Sequence, residues 1–205
     1  MATNPQKKEI AGILIENGRL SFDDLYEPTA SVKDGKLQYR ACILIDPNTD
    51  VGKRNIKKIE NAIRLAELEK FKRSPVEYKS DDRRCFFDGE ECKSQKTGEV
   101  YSGYEGMKML RALNQKRPAI VNRDAQTPIY AEDNVTYAGC YCNFFIRIYC
   151  VSGADKGGNG CYASLETVQF VKDGEPFGGA PVDPKSVFKN LEQSGDSAEE
   201  EDPLG

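Results

Sequence analysis

Between Cys140 and Val151 the chain places Tyr141, Asn143, Phe145, Arg147 and Tyr149 at every second position. A period of two puts these five side chains on one face of a β-strand. Three rings around a guanidinium and an amide do a recognisable chemistry. Flat rings stack on flat bases at about 1 to 3 kcal/mol each, while a cation neutralises a phosphate and releases its counterions. The competing reading packs the same rings beneath a loop. Tyr39 with Arg40, Lys108, Arg111 and the Lys116-Arg117 pair are the further ring and cations that would line such a surface if their strands are neighbours.

Other chemistries have less support. The chain has no histidine, which removes the commonest general base and the usual partner of a nucleophilic serine or cysteine. No phosphate-binding P-loop, GxGxxG, HExxH or GxSxG pattern occurs. Asp81, Asp82, Asp88, Glu90 and Glu91 are close in sequence, and a metal-dependent nuclease would need two or three such carboxylates converging on magnesium. Solvated turn residues explain them more simply, so a nuclease stands as the alternative; a purely structural role, such as a virion component, would bind no nucleic acid. The seven cysteines are odd in number and no export signal precedes them, which argues for reduced thiols. Cys85 and Cys92 enclose six residues and Cys140 and Cys142 only Tyr141; neither gap is that of a zinc knuckle. A structural zinc would need four thiolates, so small buried thiols are the simpler account, and no cofactor or metal is expected.

The elements that must position these residues follow from periodicity. Ile10–Ile15, Glu16-Asn17-Gly18 and Arg19–Phe22 read as two strands or a hairpin reversed at Asn17-Gly18. After a reversal at Lys33–Lys36, the segment Leu37–Ile45 alternates until Leu44 turns apolar, so its far end is expected to be buried on both sides. Asp46–Asp50 breaks that strand and offers a helix cap. Ile56, Ile59, Ile63 and Ala66 then recur three and four apart within Val51–Phe71, an amphipathic helix with a solvated charged face. Lys72–Glu99 reads as a connector with little strand content. Met107–Leu113, Ala119–Val121, Cys140–Val151 and Cys161–Val171 supply the remaining strands, the last two joined by a flexible turn at Asp155–Gly160. On Cys140–Val151 the even positions form a dry core face of thiols, Phe144, Ile146 and Ile148. Short strands between Gly and Pro turns, with one interposed helix, suit a mainly β, OB-fold-like Greek-key barrel.

Charge is divided unevenly along the chain. Residues 190–205 hold Glu192, Asp196, Glu199, Glu200, Glu201 and Asp202 and no basic residue, which leaves 29 basic against 27 acidic side chains before them. A segment so acidic and so poor in apolar residues cannot offset the entropy of ordering, and it predicts a disordered arm. Such an arm competes with an anionic ligand for a basic groove on its own protein, or offers a site to other proteins. The expected organisation is one domain, 1–189, followed by the arm, 190–205. No apolar run reaches the roughly 18 residues of a membrane span.

Several short motifs follow one another in a particular order: Leu20-Ser21-Phe22 before Leu25-Tyr26-Glu27-Pro28, then Tyr39–Ile45, Lys116-Arg117-Pro118, Tyr137–Cys142, Leu165–Glu175, Phe177-Gly178-Gly179 and the acidic end. In that order the chain resembles the single-stranded DNA-binding proteins of tailed bacteriophages, OB-fold proteins of the phage T7 type, from Gly18 onward. The resemblance implies non-sequence-specific binding of single-stranded DNA in phage DNA replication, recombination or repair. It also implies an acidic tail that regulates access to the groove and contacts phage replication or recombination proteins. The implied location is the cytoplasm of an infected bacterial cell, and a homodimer stays open. Tails of such proteins often end in an aromatic residue, whereas this one ends Asp202-Pro203-Leu204-Gly205, with leucine in the anchoring role.

Overall fold

Among its described residues the computed structural model of the chain has seven strands, β1 (Ile13–Leu20), β2 (Tyr39–Ile45), β3 (Phe86–Asp88), β4 (Lys108–Asn114), β5 (Ala119–Val121), β6 (Tyr141–Val151) and β7 (Gly160–Lys172), and one long helix, α1 (Asp50–Phe71). It describes residues 12–30, 35–153 and 158–178. The reversal at Lys33–Lys36 and the turn at Asp155–Gly160 fall partly outside these residues, and the acidic arm wholly outside.

Antiparallel pairs β1–β2, β2–β4, β6–β7 and β1–β6, with the parallel pair β4–β7, close a ring of five strands in the order β1-β2-β4-β7-β6. That is the Greek-key barrel of the OB-fold, with β2 and β4 as its second and third strands. The short strands β3 and β5 extend the sheet at its margins.

Asn17-Gly18 does not reverse the chain as a hairpin would; it forms a bulge inside β1. Ile15 stands opposite Phe144 and Gly18 opposite Cys142, so β1 uses one more residue than β6 across this interval. Asn17 adopts a left-handed φ of 51°, and its N–H donates to Asn143 Oδ1 at 2.9 Å. Asn-Gly tolerates positive φ equally well in a turn or a bulge. Tertiary pairing decides between them, because both halves of β1 find partners on β6 and its last two residues also pair with β2.

The helix begins where Thr49 Oγ1 accepts the Gly52 N–H at 3.0 Å and ends where Lys72 turns left-handed, φ 62°. Its periodic apolar face packs as expected, with Ile59 and Ala66 buried and Ile56 and Ile63 lying against the core. Asn55 is also buried. Its Nδ2 donates to Glu16 O at 2.7 Å and its Oδ1 accepts from Glu16 N at 3.2 Å, so one amide substitutes for a neighbouring strand at the edge of β1.

The even face of β6 is buried through Ile148 and meets Ile15, Ile43 and Leu165 in the barrel interior. All seven cysteines are free thiols. β2 is buried on both sides at its far end, for a reason alternation alone does not supply. Its outward residues Cys42 and Leu44 lie under a second apolar cluster with Phe87, Tyr104 and Met109. The connector read as having little strand content thus supplies β3 as a neighbour of β4, and Phe87 from it joins Tyr104 from the segment after it in covering Cys42 and Leu44.

Candidate nucleic-acid interface

Alternation along each strand and register between strands together fix which side chains share the outer face of the barrel. Arg40 stands opposite Leu113, Leu113 beside Ser164, and Ser164 opposite Arg147, a row running across β2, β4, β7 and β6. One pleat along, Cys42 stands opposite Arg111 and Tyr162 opposite Tyr149. Arg111, one position before the Ala112–Ala163 pair, aligns with Tyr162 and completes the second row.

Rings and guanidiniums alternate along this band. At one end the Phe22 carbonyl accepts the Cys42 N–H at 3.1 Å. The Phe22 ring, 38% exposed, meets Tyr101 edge-on at 5.2 Å, with the Arg40 guanidinium 5.5 Å from its centroid. In the middle, Arg84 and Arg111 sit 4.6 and 5.0 Å from the Phe87 ring. Arg111 Nη2 donates to the carbonyls of Asp81 and Arg84 at 3.0 and 2.9 Å. At the far end Tyr149, 37% exposed, lies 5.9 Å from Tyr162, whose hydroxyl accepts from Arg83 Nη1 at 3.2 Å. Burial raises the Tyr149 phenol above its ordinary range and pushes the Cys42 thiol up to about 12. The band offers rings and guanidiniums side by side, the two groups that stacking and phosphate contact require.

Of the residues singled out in the sequence, Arg40, Arg111, Arg147 and Tyr149 come together on this band. Tyr39 shares the inward parity of Ala41 and pairs with Asn114 at the barrel rim. Lys116 and Arg117 are exposed just beyond that rim, Arg117 lying 5.4 Å over the Tyr26 ring. Lys108 is at the opposite end of β4 in an ion pair with Asp88. Tyr141 and Phe145 occupy the outer side of β6 but its other end. Lys172 Nζ lies 4.7 Å over Tyr141, and Phe145 sits so close to the Gly12 backbone that a Cβ there would come 2.1 Å from its ring. A register shift against β7 between Phe145 and Ile146 separates this end from the band.

Phe22, Arg84, Phe87, Tyr101 and Tyr162 are band residues that sequence reasoning passed over. Tyr162 had a readable signal, because it alternates with Ser164 in a strand that pairs with β6. Arg84, Phe87 and Tyr101 had none, since their segment has no period. The acidic residues of the nuclease alternative are each taken up by a neighbouring cation or main-chain N–H. Asp81 and Glu91 engage Arg84, Asp82 lies 3.7 Å from Arg83, Asp88 pairs with Lys108, and Glu90 accepts the Gly106 N–H at 2.7 Å. Among the described residues no group of three or more candidate ligands is placed to hold a metal ion, and no helix is long and apolar enough to cross a membrane.

Residues 11–202 match the family model described as Enterobacter phage Enc34, ssDNA-binding protein. Protein p50 of Acyrthosiphon pisum secondary endosymbiont phage 1 is 35% identical over 199 residues, 94% of this chain and 98% of that one. The single-stranded DNA-binding protein from bacteriophage Enc34 in complex with ssDNA is similar in structure, with a TM-score of 0.65 at 22% identity over 83% of this chain and 91% of that chain. The single-stranded DNA binding protein encoded by bacteriophage T7 gives 0.50 at 13% identity over 88% and 96%. At such identities these structures bear on the fold, and they share its mainly β architecture with one helix.

Proposed function

We infer function from kinship and geometry together: the chain belongs to the family of the Enterobacter phage Enc34 single-stranded DNA-binding protein, and it is a phage single-stranded DNA-binding protein, not an enzyme. The observation that carries the reading is the band of rings and guanidiniums across the second and third barrel strands and their neighbours, the surface on which OB barrels take oligonucleotides. Phe22, Tyr149 and Tyr162 stack on bases in this reading, while Arg40, Arg111 and Arg147 reach phosphates. Lys116 and Arg117 extend the cationic path at the rim. Stacking accepts every base and phosphate contact carries no sequence information, so binding is not sequence-specific.

The acidic arm, residues 190–205, competes with DNA for this band and contacts replication or recombination proteins. Support comes from the last described residues that precede it in the chain. Phe177 packs on the apolar cluster containing Tyr101 and Cys42, and the Arg19 guanidinium covers its ring at 4.1 Å. That anchor is next to the Phe22 end of the band. Replication, recombination or repair is the setting in which such a coat acts.

Titration with oligo-dT at several salt concentrations, followed by tyrosine fluorescence, tests the reading. Quenching with an affinity that falls as salt rises is expected; no quenching at low salt overturns it. Deletion of residues 190–205 should tighten binding at low salt, and equal or weaker binding would remove the arm as competitor.

A further inference from the structure

The band is rich in arginine and yet close to charge-balanced. Arg40 Nη2 lies 2.5 Å from Asp24 Oδ2, and the Arg40 Nε also donates to that oxygen at 2.7 Å. Arg84 is gripped by two carboxylates, Asp81 at 2.8 Å and Glu91. Arg83 stands 3.7 Å from Asp82 and Arg147 3.9 Å from Glu166. Arg111 is held by two main-chain carbonyls. Four of the five band arginines thus carry a carboxylate of the same molecule.

At those four arginines an arriving phosphate therefore does not meet an open cation. It must displace a carboxylate, exchanging one anion for another, and the counterion release that drives purely electrostatic binding is correspondingly small. A ligand that offers only phosphates gains little from such a surface. An unpaired strand offers bases as well, and those stack on Phe22, Tyr149 and Tyr162; in a duplex the same bases are closed into the helix. The carboxylates also hold the guanidiniums in place beside the rings, as Arg84 shows by lying over Phe87 while bonded to Asp81 and Glu91.

We propose that Asp24, Asp81 and Glu91 determine specificity: they occupy the phosphate positions of the band until base stacking makes displacement favourable, and so keep the protein from binding duplex DNA and other polyanions by charge alone. This rests on the DNA-binding reading and goes beyond it, since the control sits in the body and is separate from the acidic arm.

The test uses the full chain, with the arm present throughout, and compares Asp81→Asn, Glu91→Gln and the double variant with the parent. Binding to oligo-dT, to a duplex of equal length and to long-chain polyphosphate is measured across a salt series. The double variant should bind duplex and polyphosphate about tenfold tighter at low salt and oligo-dT no more than about threefold tighter. Its salt dependence on polyphosphate should steepen by nearly one unit of slope for the arginine released. Arg84→Gln should lose the polyphosphate gain when added to the double variant. Unchanged polyphosphate affinity and slope, or an equal gain on oligo-dT and duplex, would overturn the proposal. Asp81, whose side chain is 77% exposed, serves alone if Glu91→Gln lowers the melting temperature, because Glu91 also accepts the Asp88 N–H. A parent chain that fails to bind oligo-dT sinks the function itself, whereas normal parent binding with silent variants sinks only this inference.

Discussion

A ring contributes to binding only where one of its faces is open, and this divides residues that look alike in the sequence. Tyr149 and Phe145 are on the same side of the same strand, yet Tyr149 is exposed beside Tyr162 while Phe145 lies on the Gly12 backbone. Tyr149→Ala and Phe22→Ala should each weaken oligo-dT binding by about tenfold, the loss of one stacked base, with little change in melting temperature. Phe145→Ala should do the reverse, leaving affinity within about twofold and costing about 2 kcal/mol of stability through lost packing. Quenching titrations and thermal melts on the three variants check this. A large affinity loss in Phe145→Ala with unchanged stability would mean that the DNA path runs over the other end of β6. Alternation in the sequence places both rings on the outer side of β6 but does not tell its exposed half from its covered one, because the register shift opposite β7 that separates the halves has no signature in β6 itself.

Elements were legible where one period ran through them, and illegible where a residue served a neighbour. The apolar stripe of α1 and the inward face of β6 announced themselves. The bulge at Asn17 did not, because the same dipeptide makes a hairpin when its flanks pair with each other rather than with β6. Nor did the docking of α1 onto the edge of β1, which runs through polar side chains: Asn55 on the Glu16 backbone, and Lys58 Nζ on Leu14 O at 3.0 Å and Glu16 Oε2 at 2.8 Å. The hydrogen bond and charge of Lys58 hold the Glu16 carboxyl below its ordinary value of 4.5, against a smaller opposing effect of burial. A carboxyl whose pKa is lower in the folded state stabilises the fold above its ordinary pKa and loses that contribution as pH falls through the lowered one. Both partners are well exposed, so Glu16→Gln should cost only about 0.5 kcal/mol at neutral pH. That difference should shrink as the pH drops below 4.5 and as salt rises. Urea unfolding of the pair at neutral and acidic pH measures it, and a difference that stays constant with pH would show that the carboxylate charge contributes nothing to the clamp.

At the scale of the whole molecule the barrel sets how much of a strand one protein can hold. From β2 to β6 the outer face crosses three strand spacings of about 4.8 Å, and Phe22 beside β2 adds about one more, for a band of roughly 19 Å. Stacked nucleotides advance about 3.4 Å each and unstacked ones further, so the band accommodates at most about five or six, near the lower end of the range for a single OB barrel. Because four of its five arginines are already paired with carboxylates, added phosphates beyond the rings bring little. Affinity for oligo-dT should therefore climb steeply with length up to about six nucleotides and then grow only as the number of equivalent registers on the oligomer increases. Binding measured on a series from three to about sixteen nucleotides decides this. A steep rise continuing past about ten would require surface outside the band, and the exposed Lys116-Arg117 rim is where that extension would begin; substituting both with Gln should then return the length dependence to that of the band alone.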